Sequence, residues 1–340
     1  MRYIFVVIIL FLILSCKDKE TFQTKHLDKP SVLVINGGEN SISIIEPENF
    51  QERYRLFIPS PNNTFIHHIG LNSTQTKFAL AFPEYDFADG HDGLHDLQVK
   101  GYVTIYDRNA ETVERTFQVP FANHNAVFSP DNSEVWTGLV SHAGRVMVYN
   151  ANNGTLIKEI TVGADPHEVL FSEDGKYVVT SCMESSFMTV IDPKTKTVLK
   201  EIKVDPFPTN VWHGKDANQI IVENANQKSI NFVDLNTLQT TDHIDLDFAP
   251  GFSKFAPNGE LWICAKGQNF LSVYKKESNL WTEKSRILTE NDPHQLMFYN
   301  GNTWLVNQKQ NTVQIFNTES KEKLGGLNVG QKPNAIVFIP

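Results

Sequence analysis

The 340-residue chain is poor in cysteine, short of basic residues and without any long helical pattern, and each lack narrows what it can be. Three cysteines, none in a C-x-x-C pair, exclude a disulfide scaffold, a zinc ribbon and a C-x-x-C-H haem attachment. With 30 Lys+Arg against 39 Asp+Glu the net charge is −9, so no general basic field exists to hold a phosphate backbone, and general nucleic-acid binding is not expected. The stock catalytic signatures are missing: there is no G-x-S-x-G elbow, no H-E-x-x-H and no G-x-x-x-x-G-K-[ST] loop. His167-Glu168 opens like a zincin motif, but no second histidine follows at the required position and both residues run into a strand. What is present is ordinary globular composition, 41% hydrophobic and 20% charged, which rules out wholesale disorder.

The N-terminus stands apart. Arg2 precedes an unbroken apolar run from Ile4 to Leu14, which ends at Ser15-Cys16. A basic residue, a short apolar stretch and a small residue before the cut describe a secretory signal. The run is too short to span a bilayer, which takes roughly 20 apolar residues. Ile13-Leu14-Ser15-Cys16 resembles the lipobox of bacterial lipoproteins, and that resemblance implies a diacylated Cys16 as the mature N-terminus. The expected organisation is a signal peptide over 1–15, a lipid-anchored flexible tether over 16–30 and a folded domain over 31–340. Lys17-Asp18-Lys19-Glu20 loosely resembles the surface-export signal of some Gram-negative lipoproteins. The expected location is therefore the outer membrane, on its surface or its periplasmic side, with the membrane as a partner through the lipid.

From residue 31 onward, short alternating apolar runs are separated by Gly, Pro, Asn and Asp clusters, which predicts an all-β domain. Phe121-Ala-Asn-His124-Asn-Ala-Val-Phe128-Ser-Pro-Asp131 recurs as Ala164-Asp-Pro-His167-Glu-Val-Leu-Phe171-Ser-Glu-Asp174 and as Asn291-Asp-Pro-His294-Gln-Leu-Met-Phe298. The equivalent positions His67, His124, His167, Thr209, Gly251, His294 and Asn334 are spaced by 57, 43, 42, 42, 43 and 40 residues. A second register, Trp136, Tyr177, Ile220, Trp262 and Trp304, steps by 41 to 43. A repeat of this length with four short strands is a propeller blade, and seven blades use up residues 31–340. Pro333 to Ile339 reads as an inner strand with no blade after it, while Leu33-Val-Ile-Asn36 and Ile42 to Ile45 read as second and third strands with no inner strand before them. The two termini are therefore expected to complete one composite blade and close the ring. Asp192 and its equivalents are expected to cap the turn that follows the third strand.

Trp304-Leu-Val-Asn307, Asn311-Thr-Val-Gln-Ile-Phe-Asn317, Tyr177-Val-Val-Thr and Ile221-Val-Glu-Asn224 resemble the YVTN β-propeller repeat, over nearly all of residues 31–340. The pattern departs from that repeat where Cys264-Ala-Lys266 replaces the Thr-Asn pair, and in an enlarged second blade. The resemblance implies a surface-layer, periplasmic or secreted propeller. It also implies a fold that relatives in denitrification use to hold a haem or a copper cluster.

The histidines are the candidate chemistry. In a propeller the starts of the inner strands and the loops between second and third strands open on one face. His67, His124, His167 and His294 stand at four of the seven inner-strand starts, and His142 lies in a loop on the same side. The longest spacing places an insertion, Pro83 to Gly101, on that face, carrying His91, Asp92, His95 and Asp96. His91 and His95 would share a helix face, although Gly90 and Gly93 favour a loop. One reading is that Pro-His simply caps a strand start. The other is a ligand-binding face at His67, His124, His142, His167 and His294, with a zinc or copper site drawn from His91, Asp92, His95, Asp96, His124 and His167. A metal held by ordinary imidazoles would be lost as pH falls through about 6.5. Trp136, Trp262 and Trp304 are expected to fill the gaps between blades, and Cys182 and Cys264 to be buried free thiols. The expected function is a monomeric, lipid-anchored binding module for an unidentified protein or small molecule. The alternative is a metal- or cofactor-dependent, oxidoreductase-like enzyme using the histidine face.

Overall fold

The fold is seen in a computed structural model that describes residues 25–340 apart from 62, 91–93 and 95–97. Within the described residues the strands form seven four-stranded antiparallel sheets, the blades of a propeller. Blade 4 shows the plan: Pro166–Phe171 innermost, then Val178–Cys182, Phe187–Asp192 and Thr197–Lys203 at the rim. The middle strands are buried on both faces by neighbouring blades, which is why their sequences run apolar without strict alternation. The outer strand is mostly exposed, and only Ile202 turns inward near its end.

Packing between blades makes the core. Trp136 contacts residues of blades 3 and 4, and Trp304 lies in a cluster with Val32, Val34 and Ile336 between blades 7 and 1. Both indoles, with Trp262, are fully buried. Cys182 and Cys264 are buried and unbridged, and burial pushes the Cys182 thiol up to about 11, so it is an inert core residue. Blades approach closely enough that a Cβ on Gly70 would sit 2.4 Å from the Ala126 carbonyl oxygen, a contact no other residue type permits.

In five of the seven blades the turn after the third strand is fixed by an Asx hydrogen bond, from Asp107, Asn150, Asp192, Asp234 and Asn317. Asp192 Oδ1 accepts the Lys194 amide at 2.7 Å, and Asn317 Oδ1 accepts the Ser320 amide at 2.8 Å. A one-residue register shift between third and fourth strands then recurs in every blade, for example at Val190/Ile191 and Ile315/Phe316.

The ring closes as the sequence suggests: Pro333–Ile339 pairs with Ser31–Asn36, which pairs with Ser41–Glu46, which pairs with Gln51–Phe57. The ordered chain begins before the first strand. Leu27 is 1% exposed in the cluster containing Ile339, its amide donates to Glu111 Oε1 at 2.7 Å, and Arg108 Nε donates to its carbonyl at 2.9 Å. Residues 26–30 are thus docked on the propeller; Cys16 and the signal segment lie outside the described residues.

Candidate functional site

Inner strands begin on one face of the ring, and four of them bring a histidine there. His67 opens His67–Leu71 in blade 2, His124 precedes the short strand Val127–Phe128 in blade 3, and His167 and His294 lie in Pro166–Phe171 and Pro293–Tyr299. A cavity of about 240 Å³ sits at the channel mouth, lined by all four. The insertion on this face contributes Phe87, whose ring meets His67 and His124 edge-on at 5.2 and 5.1 Å.

His68 joins them, and the periodicity gave no reason to expect it. In a regular strand it would point away from His67. Its φ of +55° and the register shift between His67 and Ile69 turn it toward the same side. Four imidazoles consequently cluster: His67 meets His68 edge-on at 4.4 Å between ring centres, and tilted pairs join His67 to His124 at 4.2 Å and His124 to His167 at 3.5 Å. The potential ligand atoms of His67, His68 and His124 lie within 4.8 Å of one another, and so do those of His124, His167 and Glu168.

Each ring is oriented from the next blade. His67 Nδ1 lies 3.0 Å from the His124 carbonyl oxygen, which can only accept, so Nδ1 carries the proton and Nε2 the lone pair. His167 Nδ1 lies 2.9 Å from Asn210 Oδ1, while the Asn210 amide NH₂ turns to Glu223 Oε2 at 3.2 Å. His124 Nδ1 meets Glu168 Oε2 at 2.8 Å. Glu168 is buried, and desolvation pushes its carboxyl well above the usual range against the opposing Asn125 hydrogen bond, so the carboxyl and the imidazole hold one proton between them. Asn125 also clamps the Val169 backbone, accepting its N–H and donating to its carbonyl.

Burial disfavours the charged form of His67, His68 and His294. Desolvation, helped by the charge of His294, pushes His67 down to about 3, and desolvation also holds His68 well below its ordinary value. His294 is lowered to about 4 by burial, with Asp292 opposing and Lys266 assisting. Glu223 rises to about 8 for the same reason, desolvation. In the metal-free protein the His67 lone pair survives to lower pH than that of an ordinary imidazole, because its protonated form is desolvated.

The remaining sequence candidates fall elsewhere. His142 does not line the cavity; its side chain is 60% exposed and pairs with Glu184 at the rim, 2.5 Å away, in a separate group with Asp165. His91, Asp92, His95 and Asp96 lie outside the described residues. Beyond His68, sequence reasoning missed Glu168 as the partner of His124, and Asn210 and Trp212, which line the mouth because adjacent blades converge there. The two adjacent letters His67-His68 were the one available hint for His68.

No family model matches the sequence, and no curated protein matches it. Solved structures do resemble it. A candidate 6-phosphogluconolactonase from Bacteroides fragilis superposes with a TM-score of 0.71 at 13% identity, covering 94% of this chain and 100% of that one. Kuenenia stuttgartiensis hydrazine synthase gives 0.64 at 14% identity over 83% of this chain and 97% of that one. The dihydro-heme d1 dehydrogenase NirN gives 0.62 at 15% identity, covering 93% and 76%. At these identities the likeness establishes the seven-bladed propeller and leaves the activity to the chemistry of the channel mouth.

Proposed function

We propose that this chain is a lipid-anchored, extracytoplasmic propeller whose channel mouth binds a transition-metal ion, zinc or copper, and offers it to a ligand. The observation that carries this is the convergence of histidine ligand atoms at the channel mouth. His67 is gripped through Nδ1 by the His124 carbonyl oxygen, which leaves its lone pair on Nε2, and potential ligand atoms of His67, His68 and His124 lie within 4.8 Å of one another. Neutral imidazole is the donor zinc and copper share. A cation near His124 would draw the shared proton onto Nδ1 and leave Glu168 ionised beside it. Three nitrogen ligands leave a position open to an outside molecule, where the ion would act as a Lewis acid.

The YVTN-like repeats and the lipobox-like Ile13-Leu14-Ser15-Cys16 support the reading of an outer-membrane lipoprotein. A binding module is the reading preferred here. An oxidoreductase-like enzyme is the second reading, favoured by the open position and by enzymes among the proteins of like fold.

Metal analysis tests the site. Purified protein stripped with chelator and re-equilibrated with zinc or copper should retain about one equivalent and melt at higher temperature. The double variant His124→Ala/His167→Ala, checked for a cooperative melt, should do neither. If the wild-type protein retains no metal, the histidines are hydrogen-bonded ties between blades, and the strand-start reading stands.

A further inference from the structure

We infer that the molecule admitted beside the metal is a small aromatic carboxylate. The inference rests on the metal reading above and adds the chemical class of its ligand.

Charge comes first. The imidazoles of His67, His68 and His124 bring no negative charge to a divalent ion, and where Glu168 joins His124 and His167 it brings at most one. The opposite wall of the cavity carries Lys266, whose ammonium makes no hydrogen bond or ion pair among the described residues. Its field nevertheless reaches inward, disfavouring protonation of His294 and favouring ionisation of Glu223. Asp292, the acidic residue of that wall, is buried and already accepts the Gly267 amide at 2.8 Å. With the divalent ion, Lys266 and Lys309 set against Glu168 and Asp292, a loaded cavity is net positive, and an anion reaching from the metal toward Lys266 offsets that charge.

Shape comes second. Trp212 and Phe252 line the cavity as a tilted pair with ring centres 4.6 Å apart, and Trp212 lies 6.2 Å from His68. With Phe87 on the insertion side, the organic part of a ligand meets aromatic rings on two walls. Aromatic rings gain from one another beyond their area when offset or edge-on, which an aliphatic acid cannot reproduce. At about 240 Å³ the cavity is smaller than those that take drug-sized ligands, which fits one ring with its carboxylate.

The test is calorimetry on the full chain, with metal content measured first, using benzoate, cyclohexanecarboxylate, acetate and inorganic phosphate. Zinc-loaded protein should bind benzoate at least tenfold more tightly than the other three. Lys266→Gln, an exposed change, should weaken benzoate about tenfold while metal content is unaltered. Trp212→Leu should abolish the preference for benzoate over acetate. Equal affinities for benzoate and acetate, tighter binding of phosphate, or no effect of Lys266→Gln would overturn the inference while leaving the metal intact. Failure to retain zinc overturns the metal reading instead; benzoate is then titrated into metal-free protein, where binding that depends on Lys266 upholds the ligand class and its absence overturns it.

Discussion

Two kinds of side chain at the channel mouth titrate in opposite directions, and this sets the acid–base behaviour of the metal-free protein. His67, His68 and His294 have folded values below 6.5, so their contribution to stability is complete above 6.5 and is lost as pH falls toward about 3 for His67 and about 4 for His294. Glu168 and Glu223 have folded values above 4.5, so theirs is complete below 4.5 and is lost as pH rises, toward about 8 for Glu223. Each group acts with a slope of about 1.4 kcal/mol per pH unit within its window. Between 4.5 and 6.5 three imidazoles oppose two carboxyls, leaving a net rise with pH of one group's slope; below it only the imidazoles act, and above it only the carboxyls. Melting temperature recorded from pH 4 to 9 should peak near 6.5, and Glu223→Gln should flatten the alkaline side. A level profile between 6.5 and 8 would contradict these assignments. At this scale the sequence was only half informative: repeat position located His67, His124, His167 and His294, but His68 depends on a left-handed φ that no letter announces.

Strands and turns were far more legible, because each is set by local chemistry repeated in every blade. The order of strands and the composite blade could be read from apolar runs and Asx residues. Two features could not. The left-handed position after the third-strand turn is glycine only at Gly154, while Phe50, Glu111, Lys196 and Leu238 take it elsewhere, so the usual glycine signal is absent. The inner strand of blade 3 shrinks to Val127–Phe128, and the Asn125 carbonyl accepts the Thr137 hydroxyl at 2.5 Å in place of a backbone amide. The closing strand tests the element scale. Ile336 and Ile339 are buried, Asn334 Nδ2 donates to the Ile66 carbonyl at 2.8 Å, and Gln295 Oε1 accepts the Ile336 amide at 2.6 Å. Deleting residues 333–340 removes roughly 1.5 to 3 kcal/mol for each large buried side chain, against a total stability of about 5 to 15 kcal/mol. The truncated protein should show no cooperative thermal transition; one at the wild-type temperature would mean the ring does not depend on this strand.

For the molecule as a whole, the lipid anchor we propose would decide where the propeller is, and the docked N-terminal segment how it would stand. Cys16→Ala should move the protein from the membrane pellet to the soluble fraction after cell lysis, since the acyl chains supply the attachment. Pellet recovery equal to wild type would remove the anchor from the account. The docking residues of the segment add a direction. Leu27 is held by Glu111 and Arg108, in and beside the turn between third and fourth strands of blade 2, and Arg108 also donates to the carbonyl of Pro340, just beyond the end of an inner strand. Those strand ends lie opposite the strand starts that carry the histidines. The link from Cys16 to Lys25 reaches at most about 30 Å when fully extended. A protein held by that link rests with its turn side toward the lipid and its cavity toward open water. Whatever visits the histidines then arrives from solution rather than from the bilayer, and a lipid-dissolved molecule would have to leave its membrane to be captured.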